Sequence, residues 1–227
     1  ILVNKNNIDQ AIINYKKSIE LDSNYAQAYN NLGIAFHKIH RTDEAIIHYK
    51  RAIELNKNFA EFFYNLGNAL RDQNKFTESV ECFRKALQIK STYAEAFNSL
   101  ALSQEDLGKK KEAVENYKKA IKAKPDFAEA YNNLGKLYLD KLELNESLSC
   151  IETAIKLKPS YEKAYNSLGN VLHNLGRFDD ATEAFEKAIN IKPDYAKAYS
   201  NLLFNLNYKL NFNSEYYLSV AKKFNKN

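Results

Sequence analysis

A 34-residue period governs this chain and leaves few folds open to it. Leu32, Leu66, Leu100, Leu134, Leu168 and Leu202 stand 34 residues apart. So do the aromatics Tyr29, Phe63, Phe97, Tyr131, Tyr165 and Tyr199, and the small residues Ala52, Ala86, Ala120, Ala154 and Ala188. Length alone, 227 residues, is compatible with one or two ordinary globules. A strict repeat instead buries its core between neighbouring units. Five complete copies run 26–59, 60–93, 94–127, 128–161 and 162–195. Before them, 1–25 reads as the second helix of a truncated unit, because Ala11, Tyr15 and Ser18 align with Ala45, Tyr49 and Ala52. After them, 196–227 starts a sixth unit and departs from it: Leu203 stands where glycine is expected. A polar turn, Asn211–Ser214, is expected there, then a helix from about Glu215 capped by Ser214.

Each copy holds two helix patterns. In the fifth, Tyr165, Leu168, Gly169 and Leu172 are spaced i, i+3, i+4, i+7, one face of a helix, and Ala181, Phe185 and Ala188 mark a second. Gly33, Gly67, Gly135 and Gly169 are small so that paired helices can approach, while Gly108 and Gly176 mark the turn between them. Pro125, Pro159 and Pro193 share one position, where a helix stops. Just before lie Lys90, Lys124, Lys158 and Lys192, which suit a helix C-terminus. The next position, Asn24, Asn58, Thr92, Asp126, Ser160 and Asp194, holds good N-caps for the following helix.

This succession of aromatic, Leu-Gly, Ala, aromatic, Ala and Pro resembles the tetratricopeptide repeat, with Tyr or Phe in place of the first-helix Trp. The resemblance covers residues 1 to about 208. It implies an all-α, right-handed superhelical solenoid of antiparallel helix pairs, with a concave groove lined by the first helix of each unit. The stretch Tyr199-Ser200-Asn201-Leu202-Leu203-Phe204-Asn205-Leu206-Asn207-Tyr208 resembles the junction between repeats and catalytic region in the SPINDLY and O-GlcNAc transferase family, with Phe224 as the aromatic near the end of the following helix.

Composition and motifs exclude other classes. Lys and Arg number 33 against 28 Asp and Glu, and the surplus is spread over every unit, so no nucleic-acid footprint stands out. No apolar run approaches the roughly 18 residues of a membrane span. Cys82 and Cys150 occupy one repeat position two units apart, beyond disulfide reach, and free thiols fit a reducing, cytoplasmic setting. There is no Met, which leads to the expectation of a piece of a longer protein or a processed one. His37, His40, His48 and His173 lack partners at metal-ligand spacing, and Asp179-Asp180 sits where acids complement a helix dipole. No catalytic residue, metal site or cofactor site is therefore expected.

The informative positions lie on the first helices. With the fourth, seventh, eighth and eleventh residues buried, the second, sixth, ninth and thirteenth face the groove. The sixth reads Asn31, Asn65, Ser99, Asn133, Ser167, Asn201, and the fifth Asn30, Tyr64, Asn98, Asn132, Asn166, Ser200. Asn takes eight of these twelve places, although the chain has 28 Asn in 227 and chance would put one or two there. An amide both donates and accepts, so such a row can hold the backbone of an extended peptide. The O-GlcNAc transferase resemblance implies the same, since an asparagine ladder lines that family's groove. Ser99 and Ser167 depart from it. The alternative is hydrogen bonding between units, especially at the fifth position. Asn68, Lys136 and Asn170 at the ninth position, and Asp72, Asp106, Asp140 and Asn174 at the thirteenth, complete the candidate groove. With Glu61, Glu95 and Glu129 the acids make its centre acidic, while Lys163 and Lys197 make its C-terminal end basic.

The expected function is a protein-interaction module that binds extended peptides, as the substrate-recruiting region of an O-GlcNAc transferase-like glycosyltransferase whose catalytic domain would be fused beyond Asn227. The alternative is a stand-alone scaffold. A chaperone clamp for acidic C-termini fits poorly, because no fifth position holds Lys and Asn201 stands where Arg is needed. The expected partners are proteins or peptides, without nucleic acid or membrane.

Overall fold

Helix-forming stretches alternate with short turns, three residues within each of the five complete pairs and four between successive pairs. The structure is a computed structural model that describes residues 5–208 and 213–224. Thirteen α-helices and no strand are present among the described residues. After α1 (Lys5–Leu21) come the pairs α2 (Ala26–Lys38) and α3 (Thr42–Leu55), α4 (Ala60–Asp72) and α5 (Phe76–Ile89), α6 (Ala94–Asp106) and α7 (Lys110–Ala123). Then follow α8 (Ala128–Asp140) and α9 (Leu144–Leu157), α10 (Glu162–Asn174) and α11 (Phe178–Ile191), and finally α12 (Ala196–Leu206) and α13 (Ser214–Phe224). The fold is the expected all-α solenoid of helix pairs. It divides into two compact units, Ile1–Ala123 and Lys124–Asn227.

Close approach within each pair depends on the eighth residue of the first helix. A Cβ on Gly33 would lie 2.6 Å from Tyr49 Cε1, and one on Gly169 would lie 2.4 Å from Phe185 Cε1. Those rings are fully buried, as are Ala45, Ala52, Ala181 and Ala188 on the same second helices. In the first unit, the α2–α5 core joins Leu32, Phe36, Tyr49 and Leu70. In the second, Leu172, Phe185, Tyr199 and Leu202 pack with Val220 of α13.

The turn inside each pair is a Schellman motif. Arg41, Lys75, Lys109, Glu143 and Arg177 donate their backbone N–H to the carbonyls of Phe36, Leu70, Gln104, Tyr138 and Leu172 at 2.8–3.0 Å. The preceding residue has positive φ in all five: His40, Asn74, Gly108, Leu142 and Gly176. Only two are the glycines that mark this turn in sequence.

Two capping expectations are corrected. The N-caps of α2, α4, α6, α8, α10 and α12 are Tyr25, Phe59, Tyr93, Phe127, Tyr161 and Tyr195, without side-chain cap bonds. The polar residues Asn24, Asn58, Thr92, Asp126, Ser160 and Asp194 fall one position earlier, in the turn. The aromatic holds the cap position because its ring is a packing surface. Lys90, Lys124, Lys158 and Lys192 lie over Tyr93, Phe127, Tyr161 and Tyr195 at 4.6, 5.0, 4.8 and 5.9 Å from the ring centroids. At the last helix, the cap is Asn213, whose Oδ1 accepts from the Tyr216 N–H at 2.9 Å, and Ser214 is the first helical residue. Of the expected turn, Asn211 and Phe212 lie outside the described residues.

Candidate peptide-binding faces

Each first helix is packed on two sides, so little of it reaches solvent. The third and tenth positions are buried, Ala28 and Ala35 in α2 and Ala164 and Val171 in α10, while the fourth is half-buried at Tyr29, Phe97, Tyr131 and Tyr165. At least partly exposed are the second, ninth, twelfth and thirteenth positions and, where it is Asn, the sixth. Asn31, Asn65, Asn133, Asn201, Asn68 and Asn170 are half-buried, while Asp72, Asp106, Lys136, Asp140 and Asn174 are exposed. Ser99 and Ser167 were expected on this face and are instead buried, at 8% and 4% exposure. Their side chains are too short to rise above the flanking helices, and Ser167 Oγ turns back to donate to the Lys163 carbonyl at 3.0 Å.

The asparagine rows are joined to each other. In the first unit, Asn65 Nδ2 donates to Asn30 Oδ1 at 2.9 Å. In the second, Asn201 Nδ2 donates to Asn166 Oδ1 at 2.9 Å. The sixth residue of one repeat thus satisfies the buried fifth residue of the repeat before it. Asn30, Asn132 and Asn166 are 1%, 2% and 4% exposed, so these amides need partners. Where Ser167 replaces Asn, Asn132 Oδ1 is buried with no hydrogen-bond partner. The fifth-position asparagines are therefore stacking residues. Asn65 and Asn201 each keep an Oδ1 and a second N–H beyond this bond, and Asn31 Oδ1 accepts from Gln27 at 3.2 Å, keeping its own N–H pair.

Three of the six acids expected to make a negative centre, Asp72, Asp106 and Glu129, are paired with basic side chains. His37 Nε2 is 2.8 Å from Asp72 Oδ2. Arg71 donates to Asp106 Oδ2 from Nη2 at 2.9 Å and from Nε at 3.2 Å. Lys158 Nζ donates to Glu129 Oε1 at 2.9 Å. Burial, the largest single influence, pushes the Glu129 carboxyl up, yet the Lys158 hydrogen bond, a backbone hydrogen bond and the charges of Lys158 and Lys124 together hold the group below its ordinary value. The twelfth-to-thirteenth pairing of His37 with Asp72 and of Arg71 with Asp106 spans 35 residues, a register that the sequence contains but that side-chain type alone does not single out. Asn174 Nδ2 also turns inward, to the Asn170 carbonyl at 2.8 Å.

In the second unit the exposed face deepens into a cavity of about 410 Å³, lined by Asn170, His173, Asn174, Asn201 and Phe204 with Leu139, Asp140 and Leu142 at its edge. The aromatic side of this cavity, His173 and Phe204, is not among the groove residues singled out from sequence. No group of His, Cys, Asp and Glu able to hold a metal occurs among the described residues. No helix among them is long and apolar enough to cross a membrane. Cys82 is a free thiol, and burial raises it to about 11.

Comparisons with known proteins agree with this architecture. A TPR repeat family model matches residues 1–39, 67–108 and 105–141. Tetratricopeptide repeat models match 26–59 and 162–195, 48–81, and 128–161. Among solved structures, the chain is similar to YrrB, a TPR protein with an unusual peptide-binding site, at 24% identity over 81% of this chain and 95% of that one, with a TM-score of 0.62. MamA aligns at 27% identity over 73% and 97%, with a TM-score of 0.63. PilF of Pseudomonas aeruginosa aligns at 16% identity over 88% of both chains, with a TM-score of 0.74. No curated protein sequence matches the chain significantly.

Proposed function

Because the chain belongs to the tetratricopeptide repeat family, we propose that it is a protein–protein interaction module that takes extended peptide segments on the exposed face of its first helices. The observation that carries this reading is the half-buried asparagine row, in which Asn65 and Asn201 each commit one N–H to the neighbouring repeat and retain an acceptor and a donor. A peptide backbone presents the complementary pair at every residue, so binding needs no particular side chain at these rungs. YrrB, of the same fold, is a TPR protein with a peptide-binding site.

The test must spare the asparagines that also join repeats. Asn31→Ala, Asn68→Ala and Asn170→Ala together remove half-buried amides whose side chains satisfy no buried partner. Peptide affinity, read by fluorescence anisotropy, is expected to fall by about fivefold per lost hydrogen bond, since each is worth about 1 kcal/mol. Unchanged affinity in the triple variant, with an unchanged melting curve, overturns the reading.

We further propose that the module recruits acceptor proteins for a glycosyltransferase of the O-GlcNAc transferase kind, in a cytoplasmic setting that the free thiol of Cys82 fits. What supports this finer reading is the Tyr199–Tyr208 stretch and the helix after it, where Phe224 lies 6.1 Å from Tyr199, ring to ring. A stand-alone scaffold is the alternative. The coding sequence past Asn227 separates them: an α/β region with a nucleotide-sugar pocket supports the transferase, and a stop codon or an unrelated domain overturns it.

A further inference from the structure

The second unit carries an anchor pocket that the repeat pattern does not require. Phe204 and Tyr208, at the ninth and thirteenth positions counted from Ala196, are 55% and 50% exposed. In the five complete copies no ninth or thirteenth position is aromatic: the ninth holds Ile34, Asn68, Leu102, Lys136 and Asn170, and all five thirteenth positions are polar. The two rings pack with His173, whose ring centroid lies 5.3 Å from that of Phe204 and 4.9 Å from that of Tyr208. Phe204 and His173 then form the aromatic wall of the 410 Å³ cavity.

The polar groups at that wall are held in one arrangement. Asn205 is fully buried, and its amide nitrogen donates to the Phe178 carbonyl at 2.8 Å and to Thr182 Oγ1 at 3.0 Å. Its Oδ1 must therefore be the acceptor for His173 Nδ1, at 2.8 Å, which places the ring proton on Nδ1 and leaves Nε2 for a ligand. Asn201 keeps Oδ1 after donating to Asn166.

Leu142 adds apolar surface to the same cavity: it lines it and is 73% exposed. Its φ of +60° is the Schellman-turn conformation shared with His40, Asn74, Gly108 and Gly176 and is held by the turn's hydrogen bonds, so a leucine there carries strain that a glycine would not.

Charge narrows the occupant. Lys163 and Lys197 are exposed at the second positions of α10 and α12, and neither has an acidic partner among the described residues. Lys197 precedes Phe204 by seven residues, a rise of about 10 Å along α12. Three residues of extended chain cover about the same distance. We propose that this pocket holds an aromatic or large aliphatic side chain of an extended peptide that carries an acidic residue about three positions away, facing Lys197. The proposal rests on the peptide-binding reading above and narrows it to a motif.

The experiment pans the full chain against phage-displayed random dodecapeptides, then measures synthetic peptides by fluorescence anisotropy. Selected peptides are expected to share an acidic residue about three positions from an aromatic or Leu. Replacing that anchor by Ala, or Phe204→Ser in the protein, is expected to weaken binding at least tenfold. Lys197→Glu is expected to turn the selected acidic position basic. Leu142→Gly is the discriminating variant: its melting temperature rises by roughly 2–4 °C as the strain goes, while affinity falls several-fold. A residue with only a structural role would not move the two in opposite directions. Selected peptides without the motif, bound equally by the Phe204→Ser and Leu142→Gly variants, overturn the pocket and leave the groove reading standing if the triple asparagine variant still weakens them. A library that yields no binder overturns both.

Discussion

Ser167→Asn should stabilise the second unit, and the reason is visible at Asn132. Elsewhere the sixth-position Asn donates to the fifth-position Asn of the preceding repeat, at 2.9 Å in both Asn65–Asn30 and Asn201–Asn166. At position 167 the serine bonds its own helix, and Asn132 Oδ1 is left buried without a partner. Leaving such an acceptor unsatisfied costs about 1–3 kcal/mol. The substitution forfeits only a serine bond to the Lys163 carbonyl, which as a helix carbonyl accepts a backbone bond as well, and Ser and Asn have similar helix propensities. The net gain expected is about 1 kcal/mol, or roughly 2–4 °C in melting temperature for a cooperative unit of this size. The assay is urea unfolding followed by circular dichroism, with Asn201→Ser as the reverse substitution, expected to lose about as much. The gain should vanish in an Asn132→Ala background, which identifies the acceptor through a double-mutant cycle. Equal gains with and without Asn132, or a Ser167→Asn variant no more stable than the parent, would refute the ladder argument.

Gly169→Ala forces a Cβ against the buried Phe185 ring and is expected to cost about 1–3 kcal/mol, partly recovered by Phe185→Leu; Gly176→Ala meets no atom within 4 Å and should cost only about 1 kcal/mol, from its φ of +74°. Glu129 has a folded-state value below its ordinary 4.5, so its pair with Lys158 contributes stability that is fully present above about pH 4.5 and is lost as pH falls through the lower folded value. Glu129→Gln should therefore flatten the acid side of the stability curve in that window, by little, because the pair is largely exposed and salt screens it. Cys82, buried and raised to about 11, should label with a maleimide slowly in the native protein, faster by roughly tenfold per pH unit up to that value, and fastest after unfolding in urea.

The helix pairs were legible because their determinants are local and repeated. A glycine or alanine opposite a large buried side chain, aromatic in four copies and Ile151 in one, recurs every 34 residues, and only a close helix pair needs it. The caps were misread for a physical reason. Ser160 and Asp194 have the chemistry of a cap, but Tyr161 and Tyr195 take the position, each with a lysine over its ring. The Schellman turns were half legible: glycine marks two, while His40, Asn74 and Leu142 adopt the same positive φ with nothing in their side chains to announce it. The groove was legible as a set of positions and not as a set of free groups. Periodicity places Asp72 and Asp106 outward, but their partners His37 and Arg71 come from the preceding repeat, 35 residues away. Adjacent positions of different repeats meet only after the solenoid has stacked.

That offset also determines what a ligand can use. If the asparagines of the first helices were a binding ladder alone, each could be replaced without consequence for the fold. If they were stacking residues alone, none would keep hydrogen-bonding capacity at the surface. The bonds Asn65–Asn30 and Asn201–Asn166 divide the labour between them: the fifth residue is consumed, and the sixth is half consumed and half presented. The same bond fixes the rotamer of the presenting amide, so it is held in place before a peptide arrives and loses less side-chain entropy on binding. A variant such as Asn201→Asp separates the two functions. Its carboxylate keeps an acceptor for the peptide but faces Asn166 Oδ1 with no proton to donate. At neutral pH it should therefore lose stability first, and affinity only in proportion to the disorder this brings to α12. An Asn201→Asp variant of parental stability would show that the inter-repeat bond contributes nothing, and the preorganisation argument would fall with it.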